Sequence, residues 1–154
     1  MRRRDDGCNP HAPFSERSAR PLKYVLDTNT VSALMRGVAT VAARLAKTQR
    51  ADVAITQVTV SEIEFGLRYL PASKRRRLLQ AQWKAIGPEL IRLPWDDAVS
   101  RAFGERKARL VRTGNRMSDF DLAIAAHAIA LGLVVVTADA AFDRLGIRRE
   151  NWLG

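Results

Sequence analysis

The sequence is poor in the residues that form disulfides, zinc sites and membrane-spanning helices. Its one cysteine, Cys8, excludes an internal disulfide, and its two histidines, His11 and His127, do not combine with it into a zinc ligand set. The apolar runs are broken every few residues and fall short of the roughly 18 to 20 residues that span a bilayer. No apolar stretch of signal-peptide length follows Arg2–Arg4. We therefore expect a soluble, cytoplasmic protein with no place in a membrane.

Sequence motifs for nucleotide cofactors and for nucleophilic side chains are also missing. We find no P-loop, no dinucleotide-binding glycine motif and no Ser/His/Asp arrangement. What the chain has in excess is positive charge, with 26 lysines and arginines against 16 acids and a formal net charge of +10. Such an excess favours a polyanionic partner through phosphate contacts and counterion release.

The chain divides into a short extension and a single domain. Residues 1–22 are rich in charge, proline and serine and lack apolar periodicity, which predicts a disordered N-terminal extension. Residues 23–154 keep most of the positive charge and have the alternating apolar and polar segments of one folded domain.

Within this domain, short apolar runs alternate with segments of helical spacing. The spacing of apolar residues, together with glycine and proline breaks, predicts helices between the strands. Strands that alternate with helices indicate a three-layer α/β/α sandwich with a mostly parallel central sheet. The predicted strands are 24–26, 53–56, 90–93 and 133–137, and the predicted helices are about 29–36, 38–49, 59–70, 74–87, 96–113 and 118–131.

Two acids follow predicted strands. Asp27 comes directly after the first strand, and Asp139 lies two residues beyond the last one, where Thr137 places a hydroxyl beside it. Ligands of parallel sheets bind beyond the carboxyl ends of the strands, so these acids are candidates for chemistry. The alternative for each is a helix cap or turn residue. Thr28 or Asn29 can cap the first helix, and Asn29 is a supporting candidate at the site.

Two further candidates lie on helices, each two positions from another acid. Glu62 has apolar neighbours, whereas Glu64 is spaced to form a surface ion pair with Arg68, so Glu62 is preferred. Ser118 or Asp119 can cap the helix of the second pair. Of its two acids, Asp119 sits at the boundary and is the better cap candidate, which leaves Asp121 inside the first turn as the site candidate.

Clustered carboxylates repel one another unless a cation neutralises them. Oxygen ligands without a Cys or His set select Mg2+, or Mn2+, rather than zinc. We place His127, mid-helix among alanines, in the core or an interface rather than at the metal.

Three segments resemble, in order and spacing, the motifs of PIN-domain proteins, and in particular the VapC-type toxins of toxin–antitoxin pairs. They are KYVLDTNTVSALMRG, TVSEIEFGLRYLP and SDFDLAIAAHAIALGLVVVTADAAF, and the similarity covers residues 23–152. The resemblance matches Asp27, Glu62, Asp121 and Asp139 to the four acids of the family, and Thr137 to its hydroxyl residue. It implies a Mg2+-dependent endoribonuclease that acts as a toxin, forms a homodimer and binds a small antitoxin.

We consider two alternatives to this hypothesis. One is another metal-dependent phosphoryl-transfer α/β enzyme, such as a haloacid-dehalogenase-type phosphatase or a receiver domain. The former needs an acid where Asn29 stands, and the latter needs paired acids that we do not find. The other is a catalytically degenerate, basic RNA-binding module, against which the presence of all four acids counts. In either RNA-binding hypothesis, residues 74–77 and 106–116 are candidates for backbone contacts, unless they only form solvated helix faces.

Overall fold

The structure is a computed structural model that describes residues 21–154. The predicted N-terminal extension therefore lies almost entirely outside the described residues. Of its last two residues, Leu22 is half-buried and packs against the core.

The domain contains five strands and six α-helices within residues 21–154, and the predicted strands and helices are confirmed with small shifts at their ends. Three short 3₁₀ segments, Arg50–Asp52, Gly87–Glu89 and Ala140–Leu145, complete it. The elements in chain order are β1 Tyr24–Leu26, α1 Thr28–Met35, α2 Ala39–Ala46, β2 Val53–Thr56, α3 Gln57–Tyr69, α4 Lys74–Ile86, β3 Ile91–Leu93, α5 Asp97–Arg112, α6 Asp119–Leu131, β4 Val134–Val136 and β5 Arg149–Glu150.

The five strands form one parallel sheet in the order β3-β2-β1-β4-β5. β1 lies at its centre, where Leu26 pairs with Val136 of β4 and Val25 pairs with Ala54 of β2. Because the strands are parallel, the residues that follow β1, β2 and β4 emerge at the same edge. The carboxyl edge of the sheet is therefore where Asp27 and the start of α3 lie.

Both faces of the sheet are covered, which confirms the predicted three-layer sandwich. Leu26 and Val136 pack into one core cluster with α1 to α4, whereas their neighbours Val25 and Val135 pack into a second cluster with α5 and α6. Successive strand residues point to opposite faces, so strands buried on both sides are apolar throughout, as parallel strands usually are.

Polar residues cap five of the six α-helices described, and α2 follows Val38, which makes no side-chain cap. The cap of α1 is Asp27, as the alternative role for this residue predicted, and not Thr28 or Asn29. Its carboxylate accepts a hydrogen bond from the backbone N–H of Thr30 at 2.7 Å. Thr56 caps α3, which begins at Gln57, two residues earlier than predicted. No helix within residues 21–154 is long and apolar enough to cross a membrane.

Candidate active site

Asp27 is fixed between the two central strands. Its side chain is only 3% exposed, and its backbone N–H donates to the carbonyl of Val136 at 3.1 Å. Thr30 adds a second link, because its hydroxyl donates to the same carbonyl at 3.0 Å. A carboxylate has two oxygens and about four acceptor sites. The cap bond to Thr30 therefore leaves Asp27 able to bind a cation as well.

Glu62 lies in the second turn of α3 and is joined to the turn that follows β1. The hydroxyl of Thr28, the residue after Asp27, donates a hydrogen bond to the Glu62 carboxylate. Glu62 is half-buried. The structure thus brings Glu62 and Asp27 together through Thr28, a contact that local sequence patterns do not contain because it joins residues 34 positions apart.

Glu64 has a different environment. Arg68 donates to its carboxylate as an ion pair, and the indole N–H of Trp83 donates to its other oxygen at 3.0 Å. These two hydrogen bonds lower the pKa of Glu64 below its ordinary value, and the bond from Arg68 has the larger effect. The predicted Glu64–Arg68 ion pair is confirmed, and Glu64 is accordingly neutralised by a cation of the protein itself.

Asp121 lies in the first turn of α6. The cap of this helix is Ser118, whose hydroxyl accepts from the backbone N–H of Asp121 at 3.0 Å and donates to its carboxylate at 2.7 Å. Of the two predicted caps, Ser118 is therefore confirmed and Asp119 is not the cap. Asp119 instead forms an ion pair with Lys107 of α5, with distances of 2.7 and 2.8 Å.

The direction of α6 explains how Asp121 reaches the carboxyl edge of the sheet. The helix ends at Leu131, and Gly132, with a φ of +67° that favours glycine, turns the chain directly into the start of β4. Its other end therefore points toward the opposite edge, where Asp27 lies. The side chains from Leu122 to Ala128 are all buried, so the helix cannot rotate freely about its axis.

Asp139 caps the 3₁₀ segment after β4 and is exposed. Its carboxylate accepts from the backbone N–H of Ala141 at 2.8 Å, and its own N–H donates to the buried hydroxyl of Thr137 at 3.0 Å. Arg149 is nearby: its pKa is raised, first by the hydrogen bond to Asp143 and further by the charges of Asp143 and Asp139. Thr137 therefore supports the turn of Asp139.

Asn29, the supporting candidate, is exposed on the first turn of α1. His127 is 2% exposed, its Nδ1 lies 2.7 Å from the Ala123 carbonyl, and its ring packs edge-on against Trp95. Burial lowers the pKa of His127, which favours the neutral ring. The prediction of a core histidine is confirmed.

The four candidate acids lie toward the carboxyl edge of the sheet, but their carboxylates are not close enough together to form a complete set of metal ligands. Within residues 21–154, no three Asp, Glu, His or Cys side chains stand close enough to hold one metal ion together. The candidates are nevertheless distinct from the acids beside them, since none of the four forms an ion pair with a residue of 21–154, whereas Glu64 and Asp119 both do. The donor set consists of carboxylate oxygens, which suits a hard divalent cation.

Comparison with known proteins identifies the family. The model of the PIN domain family matches residues 24–148. The chain belongs to the PIN domain family. It is 32% identical over 133 residues to VapC ribonuclease Y4jK of Sinorhizobium fredii, a match that covers 80% of this chain and 92% of the relative. It is 31% identical to the tRNA(fMet)-specific endonuclease VapC of Shigella flexneri, over 85% of this chain and 98% of the relative.

A solved structure extends the match to the fold. The DNA-bound VapBC of Salmonella typhimurium superimposes with a TM-score of 0.76 at 30% identity, over 85% of this chain and 98% of that chain. Together these matches confirm the resemblance to VapC-type PIN-domain proteins and identify the chain as a nuclease of that type. They also argue against a haloacid-dehalogenase-type phosphatase or a receiver domain.

Proposed function

We propose that this chain is a divalent-metal-dependent endoribonuclease and the toxin of a toxin–antitoxin pair. The observation that carries the proposal is a contrast among these acids: those at the family positions form no ion pair within residues 21–154, whereas their neighbours Glu64 and Asp119 do. The ribonuclease names of the relatives support RNA as the substrate.

Asp27, Asp121 and Asp139 would hold Mg2+, or Mn2+, and Glu62 would be a further ligand or would position the attacking water. A bound divalent ion lowers the pKa of a coordinated water and stabilises the charge on the leaving oxygen of a phosphodiester. The protein contributes orientation. Backbone bonds fix Asp27 and Asp139, and the Ser118 hydroxyl orients the carboxylate of Asp121.

The Thr28 hydroxyl orients the carboxylate of Glu62, as the Ser118 hydroxyl orients that of Asp121. By donating to one carboxylate oxygen, it limits the rotamers of Glu62 and leaves the other oxygen for a water or an ion. We regard Thr28 as a positioning residue, because its hydroxyl acts through Glu62.

The partners follow from the same assignment. The VapC-type toxins that the sequence resembles act with a small antitoxin, and the Salmonella neighbour was solved as VapBC bound to DNA. We propose that this chain forms a homodimer and that a small antitoxin protein binds it and blocks the candidate active site. A short neighbouring reading frame whose product copurifies with this chain and suppresses its cleavage of RNA would support the pairing.

Replacement of Asp27 by asparagine tests the metal-site assignment. Asparagine caps helices about as well as aspartate, so the variant should fold normally. Purified without antitoxin, Asp27→Asn should cleave RNA at least about 100-fold more slowly than the wild type in Mg2+, since a charged ligand is lost. Cleavage at the wild-type rate would show that the assignment is wrong.

A further inference from the structure

Three arginines line a small cavity that none of the proposed catalytic steps uses. The cavity, of about 80 Å³, lies between the end of α5 and the 3₁₀ segment after Asp139. We call it the arginine pocket. Its polar lining is Arg106, Arg109, Thr113, Asn115 and Arg144.

The positive charge of the arginine pocket is not compensated within residues 21–154. Leucines supply the remaining lining, and no carboxylate takes part. Three acids lie near these arginines in the sequence, and none of them pairs with the arginines within residues 21–154. Asp143 is held by Arg149 at 2.6 and 2.9 Å, and Asp119 is held by Lys107. Glu105, one turn before Arg109, is exposed and forms no ion pair with it. Guanidinium groups that face one cavity repel one another unless an anion lies between them.

Arg106 gives a second, independent indication. Its Nε is buried and has no hydrogen-bond partner among residues 21–154. A buried donor without an acceptor is costly, and native structures usually satisfy such a group with water or a ligand. An anion in the pocket would supply the missing acceptor.

Capping of α5 does not account for these arginines. Basic side chains near the end of a helix often bind its last carbonyls. Here backbone N–H groups already bind these carbonyls: Thr113 donates to Arg109 at 3.0 Å and Asn115 donates to Leu110 at 2.9 Å. Arg144, moreover, belongs to a different segment.

The arginine pocket is lined by a turn that is fixed by a hydrogen bond and by the segment that follows Asp139. The Asn115 side-chain amide donates to the Thr113 hydroxyl at 2.9 Å, which fixes the turn between α5 and α6. Three residues later this turn reaches Ser118, which orients Asp121. Arg144 lies in the segment that Asp139 caps. The pocket is therefore built from the chain segments that lead into Asp121 and out of Asp139.

We infer that the arginine pocket binds a backbone phosphate of the RNA next to the bond that is cut. This inference rests on the proposed function. Guanidinium forks match phosphate oxygens in pairs, and a cavity of this size suits one phosphate rather than a base. An RNA strand that binds across Asp121 and Asp139 could extend to this cavity, and a phosphate bound there would hold the strand in register.

The test is the salt dependence of RNA binding by an Arg109→Gln/Arg144→Gln variant. Both side chains are exposed, so the fold should be kept, as thermal unfolding can verify. The probe is a fluorescent, uncleavable 2'-O-methyl oligonucleotide, measured by anisotropy in EDTA so that no metal-dependent step contributes. The control, Lys47→Gln/Arg50→Gln, removes the same charge from exposed residues next to the amino end of β2.

Loss of one phosphate contact should reduce the slope of log K against log salt by about 0.7, which corresponds to an about five-fold weaker affinity at 0.1 M salt. The control should keep the wild-type slope. An Arg109→Lys/Arg144→Lys variant should restore most of the slope, because lysine also neutralises a phosphate.

Three outcomes would overturn the inference. The slope could stay unchanged in the glutamine variant, or it could fall equally in the control. Alternatively, the glutamine variant could lose binding to a poly-glutamate peptide but not to the oligonucleotide, which would assign the pocket to an acidic protein segment. Failure of the proposed function would look different, because the wild type itself would then bind no oligonucleotide or would cut no RNA.

Discussion

Helices α3 and α6 each carry two acids spaced two residues apart, and in both helices the two acids have opposite environments. Among the residues that the structure describes, the first acid of α3, Glu62, has no base partner, and the second, Glu64, pairs with Arg68. In α6 the order is reversed, since Asp119 is paired with a base and Asp121 is not. Residues two apart on a helix point in different directions. The helix face, rather than the order along the chain, therefore decides which acid forms an ion pair.

The pair in α6 should give the larger difference in activity. Asp121→Asn should reduce RNA cleavage in Mg2+ at least about 100-fold, because it removes the charge of a proposed metal ligand. Asp119→Asn should stay within about three-fold of the wild type, because it removes only an exposed ion pair. Single-turnover kinetics measure the cleavage rates of both variants. Equal losses of rate would show that Asp121 has no role that Asp119 lacks.

The pair in α3 should give an intermediate difference. Glu62→Gln should slow cleavage about 10- to 100-fold, since glutamine keeps the shape but not the charge of a group near the ion. Glu64→Gln should cleave normally. If Glu64→Gln were the slower of the two, the assignment of the two faces of α3 would have to be reversed.

Replacement of Thr28 should have a smaller effect on the rate of RNA cleavage, and this effect should depend on Glu62. Thr28→Val removes the hydroxyl that binds Glu62, so cleavage should fall by about 10-fold, as for other groups that orient a ligand. Thr28→Ser keeps the hydroxyl and should restore most of the rate. In the Glu62→Gln background the Thr28→Val change should add little, and a full additional loss there would show that Thr28 acts elsewhere.

The smallest effect concerns the stability contributed by Glu64. Loss of its i,i+4 ion pair in Glu64→Gln should cost about 0.3 to 0.5 kcal/mol in the free energy of unfolding. Because the pKa of Glu64 is lowered by folding, this contribution is complete above the ordinary glutamate pKa and is lost as the pH falls through the lowered value. The wild type and the variant should therefore differ in Tm at pH 7 and converge in acid.

Local patterns predicted most of the fold. The apolar runs at Tyr24–Leu26, Val53–Thr56 and Val134–Val136 identified strands because residues buried on both faces must be apolar throughout. β5, which has only two half-buried residues, Arg149 and Glu150, has no such signal and was not identified as a strand.

The candidate site was only partly predictable. The i,i+4 spacing was enough to assign Glu64 to Arg68, but Asp119 pairs with Lys107, which lies 12 positions away on another helix. The Thr28–Glu62 bond is equally non-local. The sequence leaves Asp27, Thr28 and Asn29 as possible caps of α1, because the position of a cap depends on where the preceding strand ends.

The central claim is that these carboxylates hold a divalent ion, and calorimetric titration with Mn2+ tests it directly. Wild type and Asp119→Asn should both bind Mn2+ at low millimolar concentration or below, whereas Asp27→Asn and Asp121→Asn should show much weaker binding or none. A wild-type protein that binds no Mn2+ in this range, or four proteins that bind it equally well, would contradict the account.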